Sequence, residues 1–219
     1  MENRRHYIKG LEGINTNLRD FGQVVITTIA QSIDALIWQD VTTAQEVIDA
    51  DAKINQYRYD LEEQSVTMIA RQQPVAGDLR LLIAAIEIAG ELERIGDYAK
   101  GIARIVIRNG TRPFVLPQIA LPQMAEQVQL MLSTSLQGLV QKDVEALQDM
   151  AEADDRVDRL EAQIRADLLR FMHDDPGTIH EATDLLFMIH YLERIADRAT
   201  NVAERVIFIV NGEMIELNA

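Results

Sequence analysis

The chain contains no cysteine. Disulfide frameworks, zinc fingers, iron–sulfur ligation and thiol nucleophiles are therefore excluded, and a reducing compartment is the natural setting. Aromatic residues make up only 5%, and the 219 positions hold just 5 prolines and 11 glycines. That scarcity, beside abundant Ala, Leu, Ile, Gln and Glu, disfavours strands and suits long helices. Basic residues are also in deficit, 21 against 35 acidic, for a formal charge of −14. Such a chain is repelled by phosphate backbones and anionic lipid, so nucleic acid is not an expected partner. No window approaches 18 uninterrupted apolar residues, and the first twenty residues, "MENRRHYIKGLEGINTNLRD", lack the apolar stretch of a signal peptide. The expected location is the cytoplasm.

What is present is helical periodicity. Apolar residues recur as Ile8, Leu11, Ile14, Leu18, Phe21, Val25, Ile29 and Leu36, then as Val47, Ile54, Leu61 and Met68, then from Leu79 to Val106. Three long helices follow from this spacing. They are divided at "WQDVTTAQ", where Asp40, Thr42 and Thr43 are capping residues, and at "RQQPVAGDLR", where Asp78 can cap the next helix. "RNGTRPFVLPQIALP" carries Gly110, Pro113, Pro117 and Pro122 and reads as a linker, after which the pattern restarts through three more helices, the last from about Ile179 to Val210. Helices of this length must cover their apolar stripes against one another, so the fold class is all-α, a six-helix bundle.

The two halves are copies. "ELERIGDYAKGIARIVIRNG" from Glu91 lies over "YLERIADRATNVAERVIFIVNG" from Tyr191 at a shift of 100 residues. "ADAKIN" from Ala50 lies over "ADDRVD" from Ala153 at a shift of 103, so one turn is shorter in the second half. Two tandem three-helix repeats, 1–112 and 113–219, packed as one compact unit, account for the chain.

On the last helix Glu193, Asp197, Asn201 and Glu204 share one stripe, within an arc of about 80° at 100° per residue, facing away from the apolar side. Like charges one turn apart repel by about 0.2–0.5 kcal/mol. Solvent can tolerate that repulsion, a basic partner can offset it, or a cation can use it. Oxygen-only ligands of this kind suit magnesium, calcium, manganese or iron. The first repeat has Glu93 and Asp97 at the matching places, followed by Gly101 and Arg104, so its copy is expected to bind cations less well. The bland alternative is a solvated face with local pairs such as Arg94–Asp97, Asp97–Lys100 and Arg194–Asp197. Asp51 and Asp154 sit on apolar seams and are expected to bond across the bundle to fix register. His6, His173 and His180 read as surface residues, and Trp38 as a packing anchor. His190 precedes Glu193 by three, the reverse of the E-x-x-H order of di-iron bundles, which argues against a ferritin-like oxidase.

"ELERIGD", "YLERIAD" and the "QQPVAGDLR" ahead of the first of them make the chain resemble PhoU-type phosphate-uptake regulators over nearly its whole length. The resemblance implies two three-helix repeats, each with an E-x-x-x-D metal motif: Glu93 and Asp97 in one, Glu193, Asp197, Asn201 and Glu204 in the other. It implies bound iron, manganese, magnesium or zinc, a homodimer, and no enzymatic activity. It further implies a repressor of the phosphate-starvation response, acting between the phosphate ABC transporter, through its ATPase, and the sensor histidine kinase it restrains. Such a protein is peripheral to the membrane through these partners only. The competing class is an enzyme, either a metal-dependent phosphohydrolase or a histidine phosphotransfer bundle.

Overall fold

The computed structural model describes residues 2–110 and 120–217, with the side chains of 2–4 left aside. Among these residues the elements are six helices and no strand: α1 (Glu2–Trp38), α2 (Val41–Gln72), α3 (Ala76–Asn109), α4 (Leu121–Gln141), α5 (Met150–Asp174) and α6 (Ile179–Asn211). Most of the expected linker, residues 111–119, lies outside the described region. Leu147 belongs to a short 3-10 turn, Glu145–Leu147, with Val144 at its N-cap, ahead of α5 and not in the fifth helix itself.

The helices form because their apolar residues repeat at the helical period and find each other. Phe21, Val25 and Ile29 on α1, Leu92, Ile95 and Ile102 on α3, and Leu192, Ile195 and Val202 on α6 have no measurable exposure. α3 and α6 pack against each other at the centre, α1 lies on α3 and α4 on α6, while α2 and α5 flank the outside of their own repeats. α1 also touches α4 across the halves, where a Cβ at Gly22 would stand 2.4 Å from Leu136 Cδ1. A larger residue there requires Leu136 to move.

α3 and α6 run antiparallel, as their cross-pairs show. Tyr98 stacks on Tyr191 with ring centroids 6.0 Å apart. Arg198 pairs with Glu91 at 3.3 Å, Arg205 with Glu87 at 3.3 Å, and Arg108 with Asp184. The 100-residue shift carries Tyr98 onto Arg198 and Tyr191 onto Glu91. One contact of the duplicated interface is thus an aromatic stack, and its mirror image is an ion pair.

Turn chemistry explains the boundaries. Asp40 caps α2 as expected, its carboxylate accepting the N–H groups of Thr42 and Thr43 at 2.9 and 3.2 Å. Asp78 does not cap α3: Val75 holds the cap position without a side-chain bond, and Asp78 accepts the Tyr7 hydroxyl at 2.7 Å. A partner 71 residues away competed for its carboxylate, and local sequence carries no trace of that. Trp38 is not a packing anchor, since the turn into α2 leaves it 77% exposed. α1 has an 18-residue window apolar enough to cross a membrane by composition, with mean hydropathy 1.3, because polar residues punctuate it without charging it. Half of that window is buried in the bundle.

Candidate metal centre

The stripe on the third helix of each repeat faces the flank of the second helix more than open water. The Glu93 side chain is 17% exposed and that of Glu193 20%, so the outward-facing reading needs correction at these two positions. Asp97 projects further, at 56%. Whatever α2 or α5 presents to the stripe decides what the acids can do.

In the first repeat α2 presents cations and amides. Arg58 Nη1 lies 3.3 Å from Glu93 Oε1, and its Nε donates to Glu62 at 2.8 Å. Glu62 first, with Glu93, holds this guanidinium still more firmly protonated. Lys100, one turn beyond Asp97 on α3, donates to Asp51 Oδ2 across the helix pair at 2.6 Å and lies 3.7 Å from Asp97. Asn55 donates to the same Asp51 oxygen at 3.3 Å. Asp51 therefore bonds across the bundle as its seam position suggested. Arg94 turns away from Asp97 to Glu91, at 3.4 Å. Each carboxylate of this cluster has a cation at hand, so the set does not fit a metal ion.

In the second repeat those residues are replaced. The 103-residue shift places Glu161 where the first repeat has Arg58, and Asp158 where it has Asn55; the 100-residue shift places Thr200 where it has Lys100. Asp154, the copy of Asp51, is buried at 9%. Glu193 is pushed above the ordinary carboxylate range, by burial first and by Asp197 next, with Asp158 and Asp154 adding to it and Arg194 opposing. Its Oε2 is buried and accepts no hydrogen bond. The nearest basic groups to that oxygen are Arg194 Nε at 3.2 Å and the His190 ring nitrogen Nδ1 at 3.5 Å, and Arg194 also donates to Asp197 at 2.9 Å. Arg194 thus lies across both motif acids from its own helix.

Among the described residues no three carboxylates or histidines converge in this conformation. The donor set nonetheless fits a hard cation: an orphaned buried carboxylate oxygen, four acids from two helices, and one displaceable arginine. Asn201 lies half-buried one turn beyond Asp197. Glu204 is occupied, its Oε1 accepting the Leu217 N–H at 2.8 Å and tying the C-terminal tail to α6. It also stands about 16 Å from Glu193 along the axis at 1.5 Å per residue, beyond the reach of one ion. Gly101 and Arg104 have separate explanations. A Cβ at Gly101 would come within 2.8 Å of the Tyr191 ring, so glycine there serves the α3–α6 approach, while Arg104 is exposed.

The residues that sequence reading missed are Arg58, Asn55 and their replacements Glu161 and Asp158. The signal was there. Carrying the "ADAKIN"/"ADDRVD" alignment one more turn exposes the exchange of a basic residue for an acidic one.

Comparison with known proteins gives the same duplication. The PhoU domain matches residues 18–106 and again 121–206. The PhoU homologue of Clostridium acetobutylicum, a phosphate-specific transport system accessory protein, is 33% identical over 98% of this chain and 99% of its own length. That of Aquifex aeolicus is 35% identical, over 95% and 94%. The crystal structure of PhoU from Pseudomonas aeruginosa superposes with a TM-score of 0.90 at 32% identity, covering 94% of this chain and all of that one. The phosphate transport system regulatory protein PhoU of Streptococcus pneumoniae gives 0.89 at 27%, covering 96% and 99%. Two matched domains, a near-full-length relationship and a shared six-helix bundle lead to one conclusion: the chain belongs to the PhoU family.

Proposed function

We propose that this protein is a regulatory accessory subunit of phosphate uptake that restrains the phosphate-starvation response, coupling the phosphate transporter to its sensor histidine kinase. Its relatives' role in phosphate-specific transport systems supports the transport half of this reading. It works as a homodimer at the cytoplasmic face of the membrane, through binding and not catalysis. Its cofactor is a divalent or trivalent cation, of iron, manganese, magnesium or zinc, held between α5 and α6 by Glu193 and Asp197 with Asp154 and Asp158 beside them. The observation that carries the metal proposal is the buried, unbonded Oε2 of Glu193 in a neighbourhood of acids. A bound cation supplies the positive charge that Arg58 and Lys100 supply in the first repeat, and Arg194 swings to solvent when it enters.

The test is a phosphate-starvation reporter in a strain lacking this gene, complemented with wild type or with Glu193→Ala/Asp197→Ala. Derepression in the deletion strain, reversed by wild type and not by the double variant, supports both parts. Unchanged reporter output on deletion rejects the regulatory role. Full complementation by a double variant that has lost its metal separates regulation from the cation.

A further inference from the structure

His190, Glu193 and Asp197 share one face of α6, within an arc of about 60° at 100° per residue, and Glu193 lies one turn from each of the others. The His190 ring nitrogen Nδ1 stands 3.5 Å from Glu193 Oε2, the buried oxygen that accepts no hydrogen bond. In an ordinary surface pair on adjacent turns a ring N–H points at the carboxylate and bonds to it. Here the two atoms stand close with no hydrogen bond joining them.

That separation has a simple reading in coordination chemistry. Two ligand atoms held about 2.1 Å from one tetrahedral ion lie about 3.4 Å from each other. The imidazole nitrogen and the carboxylate oxygen are therefore already spaced as neighbouring ligands of a single ion. Arg194 Nε, 3.2 Å from the same oxygen, is the group that gives way. Behind His190 the ring of Tyr191 lies at 6.4 Å between centroids, and Tyr191 is itself stacked on Tyr98 of α3. The imidazole has a placed ring at its back and stays half-exposed, open to an ion arriving from solvent.

The first repeat supplies the contrast. The 100-residue shift puts Gly90 at the place of His190, and a Cβ there would meet nothing within 4 Å. Space is not what keeps a side chain out of that position. The nitrogen donor is present where the cross-helix cations Arg58 and Lys100 are replaced, and absent where they stand.

We infer that His190 is a ligand of the cation assigned above to Glu193 and Asp197, so that the site takes a transition-metal ion such as zinc or iron in preference to magnesium or calcium. The inference rests on that reading of the site. Magnesium and calcium favour oxygen donors throughout, whereas an imidazole nitrogen suits zinc and iron.

The test is isothermal titration of the metal-free full chain with Zn²⁺ and, separately, with Mg²⁺, on wild type, His190→Gln and Glu193→Ala/Asp197→Ala, with thermal melting to check each fold. Ring ¹⁵N NMR of the histidines, with and without Zn²⁺, reports ligation directly. The expected result is Zn²⁺ binding weakened about tenfold or more by His190→Gln, Mg²⁺ binding changed less than about twofold, and a Zn²⁺-induced shift of a ring nitrogen signal that is missing from His190→Gln. Zn²⁺ binding that needs Glu193 and Asp197 but is equal in His190→Gln, with no ring signal shifted, overturns the histidine ligand and leaves the cation site in place. Zn²⁺ and Mg²⁺ binding weakened alike by His190→Gln marks a packing role and also overturns it. Failure of the wild type to bind either ion, or binding that survives Glu193→Ala/Asp197→Ala, overturns both.

Discussion

Arg58 on α2 lies 3.3 Å from Glu93 on α3, and at the corresponding place in the second repeat stands Glu161. This exchange, with Lys100 giving way to Thr200, removes the cross-helix cations of the first repeat, and Glu161 pairs instead with Arg165 on its own helix. Under the proposed function, one repeat is neutralised by its own cations and the other takes a cation from outside. Arg58→Glu with Lys100→Thr rebuilds the first repeat in the pattern of the second. Bound Mn²⁺, counted by equilibrium dialysis, is expected to rise by a further site; an unchanged count would mean that flanking charge does not control occupancy.

Much of this was legible in sequence and some was not, for physical reasons. Helix number, the duplication and the two acidic motifs follow from 3.6-residue periodicity, which the chain obeys because each stripe has to be buried. Asp78 and Trp38 depart from the sequence expectation because their surroundings are set by tertiary structure, a distant Tyr7 in one case and a tight turn in the other. Glu204 could be placed on the stripe but not assigned its partner, since the Leu217 N–H reaches it only through the fold of the tail. Gly101 and Arg104 suggest the asymmetry in sequence; Arg58 and Asn55 on α2, replaced by Glu161 and Asp158 on α5, add to that expectation.

Arg194 spans Glu193 and Asp197 at 3.2 and 2.9 Å and is 38% exposed, so it competes with an incoming cation at modest strength. An ion pair so exposed is worth about 0.2–1 kcal/mol. Arg194→Gln is therefore expected to tighten Mn²⁺ binding about two- to fivefold by titration calorimetry. Weaker binding in the variant would show that Arg194 supports the site and does not block it.

Glu193 holds its proton more tightly in the folded protein than its ordinary value allows, because of burial and Asp197. Its contribution to stability is complete below the unfolded-state pKa and is lost as pH rises through the higher folded-state value. In metal-free protein Glu193→Gln is thus stabilising at neutral pH, by about 0.2–0.5 kcal/mol from relief of the Asp197 repulsion alone, and neutral near pH 4. Added Mn²⁺ reverses the order by stabilising only the wild type. Thermal melts at the two pH values, with and without Mn²⁺, check the sign.

Gly101→Ala places a methyl 2.8 Å from the Tyr191 ring, which is already stacked on Tyr98. Overpacking of this kind costs about 1–3 kcal/mol, against a helix-propensity gain of about 0.5–1 kcal/mol. Gly90→Ala, with nothing within 4 Å of the new methyl, takes the gain alone. Urea unfolding is expected to rank Gly90→Ala above wild type and Gly101→Ala below it. A Gly101→Ala variant at wild-type stability would mean that the α3–α6 approach is looser than the geometry indicates.

The central claim is that a cation belongs to the second repeat and not to the first. Isothermal titration with limiting Mn²⁺ tests it directly, on metal-free wild type, Glu93→Ala/Asp97→Ala and Glu193→Ala/Asp197→Ala. High-affinity binding retained by the first variant and abolished in the second is the expected result. Equal losses in the two variants, or undiminished binding after Glu193 and Asp197 are both removed, would contradict it.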